Sequence, residues 1–276
     1  MTLKQLPHVL AFAIISLQVI INNPAFGQNT KIFCCTYNLT YRLDTVAQHP
    51  RNEEFILTIH GSKSFFESKR KLAIDSVYNT LNDANFSQTS FNQMASTLKG
   101  MQQTEFSYII YKDLANKKIL FTDQIEPLKR YAYEESIPVW KINSVTKTIG
   151  EYNCQQAITS FRGRIFTAWF TKQISIPDGP YEFSGLPGLV VEVSDNKNDY
   201  NFRLIRVKQS LISSDMTPSK NTVMTTREQF RKGADSYNMS AVERAAQSGV
   251  TFSNPDAAKR NWKEKLSRRN NPLELQ

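Results

Sequence analysis

The chain has 276 residues, with 34 Lys and Arg against 25 Asp and Glu for a formal net charge of +9, and 40% of its residues are hydrophobic. That length can bury one good core or two small ones. The basic excess carries no Gly-aromatic RNP-type run, which sets nucleic acid aside as a partner and leaves anionic envelope surfaces as the natural complement.

The first residues read as an export signal. Lys4 is the only charge before an apolar run over 9–21, which closes with Asn22-Asn23-Pro24 and then Ala25-Phe26-Gly27. Small residues at −3 and −1 suit signal peptidase, so 1–27 is expected to be removed and the mature chain to start at Gln28. A run of about 13 residues is short of the roughly 20 that cross a bilayer. Cys34 follows Lys31-Ile32-Phe33, which lacks the small residues of a lipid-attachment site. The expected address is the periplasm or the outer membrane, with secretion also open.

Beyond the signal the dominant period is two. Residues 31–43, 53–60, 105–111, 118–124, 130–134, 139–148, 152–161, 164–174, 189–194 and 200–207 are rich in β-branched and aromatic side chains and bounded by turn residues. Short connections at Asn116-Lys117, Gly150-Glu151, Arg162-Gly163 and 196–199 make neighbours antiparallel. The predicted fold is mainly β: a curved antiparallel meander sheet, half-barrel or barrel-like, with C-terminal helices packed on it. Residues 62–79 read as a strand followed by a loop, and the Asn-, Ser- and Thr-rich stretch near 79–99 as a mobile polar insertion.

A helix is expected over 226–247 behind Thr225-Thr226, and a second from Asn254-Pro255-Asp256, giving a helical segment near 225–270. The closing Leu273 and Leu275 imply a tail docked on the body. One domain over 28–276 is the economical reading.

The most distinctive run is Phe183-Ser184-Gly185-Leu186-Pro187-Gly188-Leu189-Val190. Around it stand Tyr152, Cys154 and Ala157, Gly163-Arg164, Ala168-Trp169-Phe170-Thr171 and Gly179-Pro180. In these residues and their order the chain resembles the GLPGLI family of secreted proteins, found mainly in Gram-negative Bacteroidetes; Val190 stands where the family name has Ile. The family is defined by sequence, so the resemblance implies export and no particular activity.

Pro177, Gly179, Pro180, Gly185, Pro187 and Gly188 make a stiff, re-entrant backbone in which Asp178 can bond its own downstream amide. Pro187-Gly188 suits the centre of a type II turn. Leu186 and Leu189 then either plug the core or form an apolar lip over a ligand. With Trp169, Phe170, Tyr181 and Phe183 they are the candidate residues for a lipid-like ligand or an envelope protein partner. Phe166, Ala168 and Phe170 share one face of their strand, and Ile165, Thr167 and Trp169 the other.

Catalytic signals are thin. His49 and His60 are the histidines left after signal removal, and no Gly-x-Ser-x-Gly elbow accompanies them. No His-Glu-x-x-His or Cys-x-x-Cys marks a metal, and Gly185 and Gly188 precede a strand, so neither a phosphate loop nor a dinucleotide cofactor is expected. Asp178, Glu182, Glu192 and Asp195 lie near the motif and could supply an acid and a base. Three cysteines leave room for one bridge, Cys154 with Cys34 or Cys35, adjacent residues that point to opposite faces. The function expected is non-catalytic binding of an apolar ligand or membrane-protein partner, with a structural accessory and a carboxylate hydrolase as the alternatives.

Overall fold

The computed structural model describes residues 32–82, 87–126, 129–210 and 221–275; the expected signal segment lies outside them. Each period-two run sets its larger apolar side chains on one face, and burying that face draws the strands into a single sheet. In chain order the elements are β1 (Ile32–Tyr41), β2 (Arg51–His60), β3 (Lys63–Ser68), α1 (Lys69–Asn82), α2 (Gln88–Gly100), β4 (Ile109–Asp113), β5 (Lys118–Glu126) and β6 (Lys129–Glu135). There follow β7 (Lys141–Ile149), β8 (Tyr152–Phe161), β9 (Arg164–Thr171), β10 (Leu189–Asp195), β11 (Tyr200–Ser210), β12 (Thr222–Met224), α3 (Arg227–Met239), α4 (Ala241–Gln247) and α5 (Pro255–Ser267).

The twelve strands of the described residues form one open sheet, in the order β12-β6-β5-β4-β3-β2-β1-β11-β10-β9-β8-β7. Two antiparallel meanders, β1 to β6 and β7 to β11, are joined where β1 pairs with β11 from Ile32↔Ser210 to Tyr41↔Tyr200. β12 alone is parallel, lying beside β6. The edges are blunt: β12 is three residues long, and β7 carries Lys141, Lys147 and an irregularity between Ile142 and Thr146. Charge and bulging of this kind discourage edge-to-edge pairing.

The core is aromatic. Tyr37, Tyr41, Phe55, Phe66, Phe166, Phe170 and Phe202 are fully buried, each contributing about 1.5–3 kcal/mol relative to exposure. Rings from distant strands meet, as in Phe66 with Phe202 at 5.9 Å and Tyr108 with Tyr181 at 5.4 Å. On the C-terminal side, Phe230 of α3 lies 5.8 Å from Phe121 and 5.5 Å from Tyr133, which fixes α3 on β5 and β6. Its start was legible in the sequence, since Thr226 caps the Gln229 amide in a capping box.

Two expectations are corrected. The stretch 62–79 is β3 followed by a helix rather than a loop, and the described part of 79–99 is helical. Local polar bonds account for this: Ser68 Oγ accepts from Lys71 N at 3.2 Å, Ser87 Oγ from Ser90 N at 3.1 Å, and Gln88 reaches Asn92 at i+4. α2 buries no side chain, so no apolar stripe announced it. β4 starts at Ile109, later than expected, while Phe106 and Tyr108 ahead of it still enter the core.

Candidate functional site

The motif occupies the connection between β9 and β10. Its backbone folds through four three-residue turns: Ile176 N donates to Ile174 O, Asp178 N to Ile176 O, Ser184 N to Glu182 O and Gly188 N to Leu186 O, all at 2.8–2.9 Å. Such γ-turns want a central φ near −75°, which Pro177 and Pro187 supply without strain. The expected type II turn is thereby corrected. Leu189 N bonds Ile174 O at 3.1 Å instead of closing a four-residue turn on Leu186. Gly188 does take a positive φ, +153°, and a Cβ there would stand 2.1 Å from Thr171 O, so close backbone approach demands glycine. At Gly179 a Cβ would lie 2.4 Å from Phe183 O.

A buried ion pair holds this loop. Lys112, on the inward face of β4, lies 2.5 Å from Asp178 Oδ1, and both side chains are wholly buried. The same ammonium donates to Gly179 O at 2.6 Å and Tyr181 O at 3.0 Å, so its three donors are spent on the loop. Burial pulls the Lys112 pKa down, against the pull of Asp178. Asp178 Oδ1 also accepts from Gly179 N at 2.7 Å, the self-capping its place in the turn suggested. Tyr37 OH donates to Val190 O at 2.6 Å and Trp140 Nε1 to Ser184 O at 2.9 Å, which pins both ends of the motif.

The candidate ligand residues divide sharply. Phe170, Tyr181, Phe183, Leu186 and Leu189 are all in the core, with Leu186 1% exposed. Phe183 packs on Phe166 at 4.7 Å and on Tyr181 at 5.9 Å, so the rings fill space rather than line it. The leucines are plugs. Trp169 alone is half-buried; it lies on the outer face, as period two requires, with Lys147 Nζ 4.2 Å above its ring.

Cys34, Cys35 and Cys154 are free in the structure. Three strands, β11, β10 and β9, separate β1 from the β8 strand that carries Cys154. Burial first, then Asp178, pushes the Cys35 thiol up to about 12, and burial raises Cys154 to about 11. Neither is a ready thiolate.

The four carboxylates singled out near the motif do not converge. Glu192 pairs with Lys147 at 2.9 Å on the outer face, and Asp195 holds Arg164 at 2.7 Å. Glu182 instead meets two acids that no local spacing revealed, Glu135 at the end of β6 and Glu274 in the C-terminal tail; one oxygen from each lies within 4.8 Å of the others. Arg162 reaches Glu135, and Arg227 bridges Glu135 and Glu274. Tyr181 OH donates to Glu274.

Glu182 is fully buried and neither oxygen accepts a well-formed hydrogen bond, because the nearby Tyr181 hydroxyl is given to Glu274. By contrast Glu53, equally inaccessible, accepts from Ser68, Thr104 and Arg70. Burial, with the Glu274 charge behind it, raises the Glu182 pKa well above 4.5. Three carboxylates are hard donors that would suit calcium or magnesium. Two guanidiniums already answer two of their charges, however, and burial makes Glu182 resist giving up its proton.

The tail is tied down from the other side. Arg164 donates to Asn271 Oδ1 and Pro272 O at 2.6 Å and to Leu273 O at 3.0 Å, while Tyr200 OH reaches Asn271 O at 2.6 Å. Leu273 packs on the core as expected. Leu275 does not: its side chain is 44% exposed, and only its amide is held, by Arg162 O at 2.9 Å.

A family described as a protein of unknown function (Porph_ging) matches residues 161–192, which contain the whole motif. Among solved structures, PNGF-II in the P21 space group is 13% identical, with a TM-score of 0.53 over 75% of this chain and 34% of that one. The same protein in the C2 space group gives 13% identity and a TM-score of 0.52, over 75% of this chain and 33% of that one. The chain thus spans about a third of the length of these structures. At such identity the likeness concerns the fold alone. No curated protein matches the chain.

Proposed function

We propose that the chain is an exported, non-catalytic accessory protein of the cell envelope, of the GLPGLI type, that works through its outer surface. The observation that carries this reading is the fate of the motif. Leu186, Leu189 and Phe183 are consumed by the core, and the loop that bears them is locked by the buried Lys112–Asp178 pair. A segment so fixed is a keystone of the fold rather than a lip over a ligand. Of the acids near the motif, Asp178 is paired with Lys112, Glu192 with Lys147 and Asp195 with Arg164, and Glu274 is held by Arg227 and Tyr181. The apolar run near the N-terminus supports the envelope setting.

Native mass spectrometry of protein purified from its own envelope fraction tests this. The expected result is a mature chain beginning at Gln28 with no apolar small molecule retained inside it. A stoichiometric apolar ligand that survives until the chain unfolds would overturn the reading.

A further inference from the structure

A cleft of about 340 Å³ lies between the β1–β2 connection and the C-terminal end of α5. Arg42, Arg51, Lys265, Arg268 and Arg269 line it against two carboxylates, Asp44 and Glu105. We propose that this cleft is a binding site for a phosphate ester, free or as a phospholipid headgroup. The inference rests on the surface-binding role above and gives that role a ligand class.

Three observations separate the cleft from an ordinary solvated face. The first is charge that its own acids leave unanswered. Glu105 alone serves two guanidiniums, Arg51 at 2.8 Å and Arg269 at 2.9 Å. Lys265 stacks over Trp262 at 5.1 Å and has no ion pair among the described residues. The second is Arg42, half-buried, whose Nε is shielded from water and without a hydrogen-bond partner. The protein thus leaves the Arg42 guanidinium unsaturated, with donors that an acceptor in the cleft can take.

The third is a wall built in advance. Asn271 Nδ2 donates to Arg42 O at 2.8 Å, Asn271 N to Leu43 O at 2.9 Å, and Thr45 N to Asn270 Oδ1 at 2.9 Å. The C-terminal tail therefore ties the backbone of Arg42 to the residues next to Arg269 before any ligand arrives, which lowers the ordering cost of binding. Guanidinium forks match phosphate oxygens in pairs. A volume of about 340 Å³ admits an organic phosphate and not merely a bare ion.

The probes are glycerol 1-phosphate, followed by calorimetry, and vesicles of phosphatidylglycerol or phosphatidylcholine, followed by sedimentation at low salt. The variants are Arg42→Gln, the double variant Arg51→Gln/Arg269→Gln, and Lys263→Gln, which removes one charge from α5 outside the cleft. Melting curves confirm that each is folded. Glycerol phosphate should bind and weaken roughly tenfold or more in the two cleft variants, because bonds to charged partners are lost, with Lys263→Gln unchanged. Phosphatidylglycerol vesicles losing affinity in parallel would assign the headgroup as the source. Glycerol phosphate binding without vesicle binding would assign a free ester.

Absence of binding to both probes overturns the proposal, as does vesicle binding that falls equally in Lys263→Gln and the cleft variants, the mark of diffuse charge. Those failures leave the wider surface-binding role standing, because that role falls only to an internal apolar ligand.

Discussion

Glu182→Gln should stabilise the protein, against the usual direction of a substitution in a buried site. Glu182 is wholly buried, neither oxygen accepts a well-formed hydrogen bond, and it shares a small space with Glu135 and Glu274. Arg162 and Arg227 are directed at the other two acids, so the third charge faces Tyr108, Tyr133 and Tyr181 without a dedicated cation. Glutamine keeps the shape and removes the charge. Leaving a buried polar group unmatched costs about 1–3 kcal/mol, and more when it is charged; glutamine is still polar, so what is relieved is the extra cost of the charge, and only where Glu182 is ionised. In a chain of this size each kcal/mol moves the melting point by about 2–4 °C.

The pH dependence has a definite sign. From 4.5 up to the higher value in the folded chain, the folded state keeps a proton that the unfolded state has released. Stability therefore falls as pH rises through that window and levels off above it. The Gln variant should lack that slope, so its advantage should grow as pH rises above 4.5 in urea unfolding. A variant less stable than the parent at the upper end of that window, or one with an unchanged slope, would refute the account of Glu182 as an unmatched acid.

Other consequences are equally open to measurement. Lys112→Met leaves Asp178 buried and unpaired and should cost about 3–5 kcal/mol in denaturant unfolding; adding Asp178→Asn should recover part of that loss, and additive losses would show that the pair is not coupled. Gly188→Ala must place a Cβ 2.1 Å from Thr171 O in a backbone region that L residues avoid, so a loss above the ~1–3 kcal/mol of the conformation alone is expected on calorimetry. Thiol titration of denatured, unreduced protein should count every cysteine as free, because β9, β10 and β11 lie between Cys154 and the pair in β1.

Much of the fold was legible because burial writes period two into strands. Tyr152–Phe161 was read to the residue, and the turn positions Lys117, Arg162, Gly163 and Asn198 all take positive φ. α1 and α2 were missed because their stability comes from caps and i,i+4 polar pairs, which leave no apolar stripe to read. β12 is three residues long and carries too little pattern to see.

At the site, Pro177, Asp178, Gly179 and Gly188 were found because turn chemistry is local. Lys112 was not, although one signal existed: in Ile109–Asp113 it shares the inward phase with Ile110, where an unpaired ammonium would be untenable. Glu135 and Glu274 join Glu182 from far along the chain, and only the folded sheet brings them together. The basic excess was legible in the sequence, but the gathering of Lys265, Arg268 and Arg269 in one cleft was not. That Arg42 and Arg51 face them from the first meander follows from the tail bonds Asn271 makes to Arg42 and Leu43.

Amide hydrogen exchange across 174–190 tests the central claim, that the motif is a keystone, most directly. The amides of Asp178, Gly185, Gly188 and Val190 are bonded within the loop at 2.8–3.0 Å. If Lys112–Asp178 and the plugged leucines lock the segment, these amides exchange only through global unfolding, with the same protection as the core strands β1 and β11. Exchange of the loop amides through a separate, low-energy opening, while β1 and β11 stay protected, would show a movable lip and contradict the account.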